Sequence, residues 1–145
     1  MVEPTSVNVV IYHANCTDGF GAAYSAWKQL GNRAEYYACK HGVEYPDIKG
    51  KNVVILDFSF DNATTKKMIE EASGLLVIDP HKSAMVELHD ITNTHFDMNK
   101  SGALLAWEFF HPGKEPPKFL TYIEDRDLWK WELAYSKEFS AAFDM

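Results

Sequence analysis

The chain has 145 residues, 46% of them hydrophobic and 24% charged, the proportions of an ordinary globular domain long enough to bury a core. Its net charge of −7 supplies no basic stripe for gripping long nucleic acid. No run of about 18 apolar residues predicts a membrane span. Met1 to Ser6 carry no positive segment followed by an apolar one, so no secretory signal is expected. Cys16 and Cys39 are too few for a disulfide framework, and a cytoplasmic location is the expectation. The excess of carboxylates suits either a solvated acidic surface or a cluster that awaits divalent cations.

Val7 to Tyr12 (VNVVIY) reads as a first strand, β-branched and nearly continuous, running at once into His13, Asn15, Cys16 and Asp18. Phe20, Ala23, Tyr24, Trp27 and Leu30 then recur at helical spacing, and Gly31-Asn32 stops that helix. Ala34 to Ala38 predicts a short strand, and Lys40 to Lys51, with Gly42, Pro46 and Gly50, a loop. Val53 to Leu56 repeats the first strand's pattern and ends in Asp57, Phe58 and Ser59. A helix follows to Ala72, capped by Asp61 or Asn62, with Met68 and Ile69 on its buried side. Leu75 to Ile78 is an apolar run without alternation, the mark of a strand covered on both faces, and it ends abruptly in Asp79, Pro80, His81 and Lys82.

After His81 the pattern loosens, with a short strand expected near Ile91. Ser101 to Phe110 predicts a helix capped by Ser101 and stopped by Pro112-Gly113. Pro116-Pro117 opens another, which carries Phe119, Leu120, Tyr122 and Ile123 into Glu124 to Trp129, and Ser136 to Phe143 opens one more. His89, His95 and His111 fall in loops or at a helix end and read as surface residues. Trp107, Phe109 and Phe110 read as core. Strands separated by helix-length segments predict a single α/β domain over residues 1–145, with a central, mostly parallel sheet and helices on both faces.

Successive strands of that sheet deliver His13 with Asp18, then Asp57, then Asp79 with His81, each at or just past a carboxyl end, where open α/β sheets bind ligands. Parallel neighbours lie roughly 4.8 Å apart, so such groups converge. Converging carboxylates repel unless a proton or a cation intervenes. Oxygen ligands mixed with imidazole suit Mn²⁺, Mg²⁺ or related ions, and two of them could activate water for attack on phosphorus. A solvated polar rim is the plainer alternative.

HANCTDGFGAA (13–23), VVILDFS (53–59), VIDPHKSA (77–84), SGALLAW (101–107) and YIEDRDLW (122–129) together resemble the successive motifs of the DHH phosphoesterase superfamily. Relatives there include nanoRNases, RecJ-type exonucleases and family II inorganic pyrophosphatases. The resemblance covers residues 7 to about 131 and implies the superfamily's catalytic lobe without its carboxyl-terminal lobe. It implies His13, Asp18, Asp57 and Asp125 as ligands of one or two Mn²⁺ or Mg²⁺ ions, Asp57 bridging and Asp127 the rival of Asp125. Cys16 falls where many relatives carry Asp. Asp79 and His81 take the catalytic positions of the D-H-H run, and Asn15, Lys82, Ser101, Gly102 and Arg126 the substrate-binding ones, the helix opened by Ser101 offering its amides to a phosphate. The implied substrate is a small nucleotide, a short oligonucleotide or a similar phosphorylated molecule, with no membrane partner and with self-association left open.

The chain departs from that pattern at Pro80, which stands where the family has its metal-binding middle His. Proline has no side-chain donor, so that coordination bond is lost, while its preference for an extended preceding residue suits a strand end. His41 or His89 could substitute only if folding brought them close. The alternative to an active enzyme is therefore a catalytically impaired phosphate- or nucleotide-binding module.

Overall fold

A computed structural model of the chain describes residues 2–127, with side chains through residue 122. Five parallel strands, β1 (Val9–His13), β2 (Glu35–Cys39), β3 (Asn52–Leu56), β4 (Gly74–Asp79) and β5 (Thr94–Phe96), form one sheet in the order β2-β1-β3-β4-β5. Helices α1 (Thr17–Leu30), α2 (Asn62–Glu71), α3 (Lys82–Glu87), α4 (Gly102–Phe110) and α5 (Lys118–Asp127) connect or follow them. The α/β class and the parallel sheet expected from the alternation of strand and helix are what the chain adopts. No helix among the described residues is long and apolar enough to cross a membrane.

The strand order fixes where a ligand belongs. From β1 the chain crosses to β2 on one side; from β3 it crosses to β4 on the other. The order therefore reverses between β1 and β3, which opens a crevice beyond their carboxyl ends. Right-handed crossovers in opposite directions put their helices on opposite faces. The core follows suit. Alternate strand residues Val10, Val54, Leu56, Leu76 and Ile78 pack on Ala22, Ala26 and Leu30 of α1 and Leu105, Ala106 and Phe110 of α4. Their neighbours Val9, Ile11, Val53, Ile55, Leu75 and Val77 pack on Met68 of α2, with Ile48, Leu88 and Ile91.

Three elements differ from the sequence expectation. Helix α1 starts at Thr17 rather than Phe20, because Gly19 lets the first turn lie directly on the end of β1; a Cβ there would collide with the His13 carbonyl oxygen. Glycine at this place is a packing requirement rather than a loop signal. Helix α3 has only 6 residues, too few to show a periodic pattern. Strand β5 lies at Thr94–Phe96 rather than near Ile91; its partial exposure hides it as an apolar run, and pairing with β4 makes it a strand. Asp61, not Asn62, caps α2, its carboxylate accepting from the Thr64 amide at 2.7 Å. The segment expected to be helical at 136–143 lies outside the described residues.

Trp107 and Phe110 are core, as expected, and His89 and His95 are exposed. His111 corrects the expectation of a surface residue. It is buried, stacks on Trp107 at 3.9 Å between ring centroids and donates from Nε2 to the Ser25 carbonyl at 2.9 Å, fastening the end of α4 to α1.

Leu105 is 1% exposed where α4 meets the sheet. Leu105→Ala should cost about 2–5 kcal/mol in urea unfolding with an unchanged m-value; a loss below about 1 kcal/mol would show that α4 is not a main support of the core.

Candidate metal centre

Backbone conformation aims the key carboxylate. At the end of β3 the chain turns through Asp57 with φ 56°, a left-handed geometry that costs a non-glycine residue ~1–2 kcal/mol and persists only where its surroundings impose it. Asn15, in the loop after β1, does the same at φ 55°. Gly102 makes room for the result: a Cβ at this position would lie 2.7 Å from the Asp57 Cβ and Cγ. The side chain of Asp57 is thus seated at the reversal point between β1 and β3, only 1% exposed.

Donor atoms gather around it in two groups that share Asp57. Ligand atoms of His13, Cys16 and Asp57 all lie within 4.8 Å of one another, as do those of Asp57, Asp79 and His81. In the first group His13 Nδ1 is 3.6 Å, and Cys16 Sγ 3.7 Å, from Asp57 Oδ2. His13 Nδ1 is buried and has no hydrogen-bond partner among the described residues. In the second group Asp79, also 1% exposed, accepts on Oδ1 from the His81 amide at 3.1 Å and from His81 Nδ1 at 2.5 Å, and on Oδ2 from Ser59 Oγ at 2.6 Å. His13, Asp57, Ser59, Asp79 and His81 line a cleft of about 440 Å³, together with His41 and Phe60.

The electrostatics describe a site short of positive charge. Burial, followed by the charge of Asp57, holds the Asp18 carboxyl well above the ordinary carboxylate range. Burial, with His81 adding to it, lowers His13. Burial and then Asp57 push the Cys16 thiol up to about 11. Buried carboxylates, an imidazole kept neutral and a thiol within reach of one point form a donor set that fits a divalent cation.

Several expected site residues make other contacts. Asp18 joins neither donor group, although its carboxyl hydrogen-bonds the Asp57 side chain. It is 3% exposed and turns its carboxylate to the start of α4, where Oδ2 accepts from the Gly102 amide at 2.9 Å and Oδ1 from the Ala103 amide at 2.8 Å. The same two bonds correct the expectation for Ser101 and Gly102. The helix end expected to hold a phosphate is occupied by the protein's own carboxylate, and fully buried Ser101 spends its hydroxyl on the Leu104 amide at 3.1 Å. Lys82 and Asn15 are exposed on either side of the centre, at the start of α3 and in the loop after β1. His41 reaches the cleft but joins neither group; its ring centroid is 5.0 Å from that of Phe58. His89 lies outside the cleft, with Nδ1 bonded to the Val86 carbonyl. Pro80 is buried at the end of β4. Asp125, Arg126 and Asp127 end α5, and their side chains, like Trp129 and Trp131, lie outside the described residues. Sequence reasoning gave no role to Ser59, although it stands two positions after Asp57.

No family model matches the chain. An uncharacterized protein of Acanthamoeba polyphaga mimivirus is 36% identical over 155 aligned positions, covering 94% of this chain and 37% of that protein. The chain thus spans little more than a third of the relative's length. A crystal structure of an uncharacterized protein from Helicobacter pylori G27 superposes with a TM-score of 0.76 at 13% identity, over 94% of this chain and 49% of the other. That likeness establishes the fold alone.

A carboxyl that holds its proton more tightly folded than unfolded, as Asp18 does, destabilises the fold as pH rises above the ordinary carboxylate range. A cation held by this donor set would oppose this and would compete with protons at His13 and the carboxylates. The thermal shift produced by Mn²⁺ should therefore grow from about pH 5 to about pH 7.5 in differential scanning fluorimetry. Equal shifts at both values would place the ion elsewhere.

Proposed function

We propose that the protein is a divalent-metal-dependent phosphoesterase of the DHH kind, acting on small nucleotides, short oligonucleotides or similar phosphorylated molecules. The observation that carries the reading is the sharing of buried Asp57 by two donor groups at the mouth of a cleft. His13 and Asp57 would hold one ion, and Asp57 and Asp79 would supply oxygens to a second, with Mn²⁺ or Mg²⁺ the expected ions. Such ions supply Lewis acidity toward a phosphoryl oxygen and lower the pKa of water. The remaining work falls to the chain itself. Asp79 fixes the His81 ring through Nδ1, which makes Nε2 the nitrogen for contact with phosphate or for proton transfer to the leaving oxygen. Ser59 holds Asp79 in turn. Lys82, exposed beside His81, is placed to meet phosphate oxygens. Two free thiols suit a reducing cytoplasm.

Pro80 favours a second reading. It leaves the position of the family's middle His without a donor, as in a binding module that has lost turnover. Bis-p-nitrophenyl phosphate with Mn²⁺ separates the two. Under the first reading the protein hydrolyses it, and Asp57→Ala lowers turnover at least ~100-fold with the fold retained by circular dichroism. Turnover that survives Asp57→Ala would refute the metal assignment. No turnover in the native protein, with activity gained by Pro80→His, would establish the binding module.

A further inference from the structure

Cys16 occupies the N-cap position of α1, where Ser, Thr, Asp or Asn would stabilise the helix by ~1 kcal/mol through a side-chain bond to the first turn. Its side chain makes no capping bond. Sγ lies instead 3.7 Å from Asp57 Oδ2, within 4.8 Å of a ring nitrogen of His13, the residue whose Nδ1 is buried without a hydrogen-bond partner among the described residues. The nearest further carboxyl, Asp18, accepts the Gly102 and Ala103 amides of α4 and joins neither donor group. The two donor groups are therefore chemically unlike. One offers sulfur, imidazole and carboxylate; the other offers two carboxylates, with the His81 ring held by Asp79 beside them.

We propose that Cys16 is a metal ligand and makes the centre asymmetric: the His13–Cys16–Asp57 half selects a thiophilic ion of the zinc class, while the all-oxygen half supplied by Asp57 and Asp79 takes a harder ion such as Mn²⁺. This rests on the metal-dependent reading above and assigns that site its ion preference. Thiolate ligands select zinc-like over alkaline-earth-like ions, and three protein ligands leave a coordination position open for water or substrate. As the ion binds, the thiol proton passes to solvent. The position of Cys16 at the positive end of α1 favours the thiolate that remains.

Cobalt(II), an open-shell stand-in for zinc, tests this without an activity assay. The metal-free full-length chain titrated with Co²⁺ should develop a near-ultraviolet sulfur-to-cobalt charge-transfer band that Zn²⁺ displaces and Mn²⁺ in about 100-fold excess does not. Cys39→Ala should retain the band, and Cys16→Ser should bind Co²⁺ without it. Cys16→Asp should weaken Zn²⁺ at least ~10-fold relative to Mn²⁺. A band that persists in Cys16→Ser, or Co²⁺ binding by the native chain with no band, overturns the proposal. In the latter case Mn²⁺-dependent turnover that still requires Asp57 would leave the phosphoesterase reading standing, whereas failure to bind Co²⁺, Zn²⁺ or Mn²⁺ would end both. Should Cys16→Ser not fold, the native spectrum and the Cys39→Ala and Cys16→Asp variants decide the question by themselves.

Discussion

The contact between Asp18 and the start of α4 holds the upper edge of this molecule together. A buried carboxylate in the first turn of one helix accepts two amides from the first turn of another, 84 and 85 residues further along the chain. It satisfies donors that a helix start leaves open and places negative charge where the helix dipole favours it. The bond also brings Gly102 against Asp57, close enough that no larger residue would fit, and so fixes the carboxylate shared by both donor groups. Charge is thereby concentrated. Asp18, Asp57 and Asp79 are each buried at one sheet edge, and the amides of α4 offset the first of them directly.

Crowding of this kind has few physical resolutions: protons, internal donors or a cation. Internal donors meet part of the demand. Asp79 takes a serine hydroxyl, an imidazole and an amide, and Asp18 takes two amides. What remains around Asp57 is a set of good ligands, a ring nitrogen and a sulfur, at distances too long for strong hydrogen bonds. A cation would draw them in without moving the strands that carry them.

The sheet and most of its helices were legible in the sequence because both signals are local. VVIL and LLVI have no alternation, so they had to be covered on both faces. The buried face of α1 was not legible: of Phe20, Ala23, Tyr24, Trp27 and Leu30, whose spacing predicts the helix, Phe20 and Trp27 are half exposed, and it is Ala22 and Ala26 that pack on the sheet beside Leu30. Convergence of His13, Asp57, Asp79 and His81 followed from the same logic, since parallel strands align their carboxyl ends. The partners of Asp18 and Ser101 were not legible. Each residue type suits a ligand or a cap equally well, and the choice depends on a contact between helix starts far apart in the chain. Cys16 carried the opposite problem: its position was readable, but its missing capping bond and its approach to Asp57 are visible only in the fold.

In crystals grown with Mn²⁺, anomalous diffraction should show a peak within coordination distance of an Asp57 carboxylate oxygen, flanked by Asp79 or by His13. Crystals whose strong manganese peaks lie elsewhere, with Asp57 contacted only by protein atoms, would contradict the metal assignment.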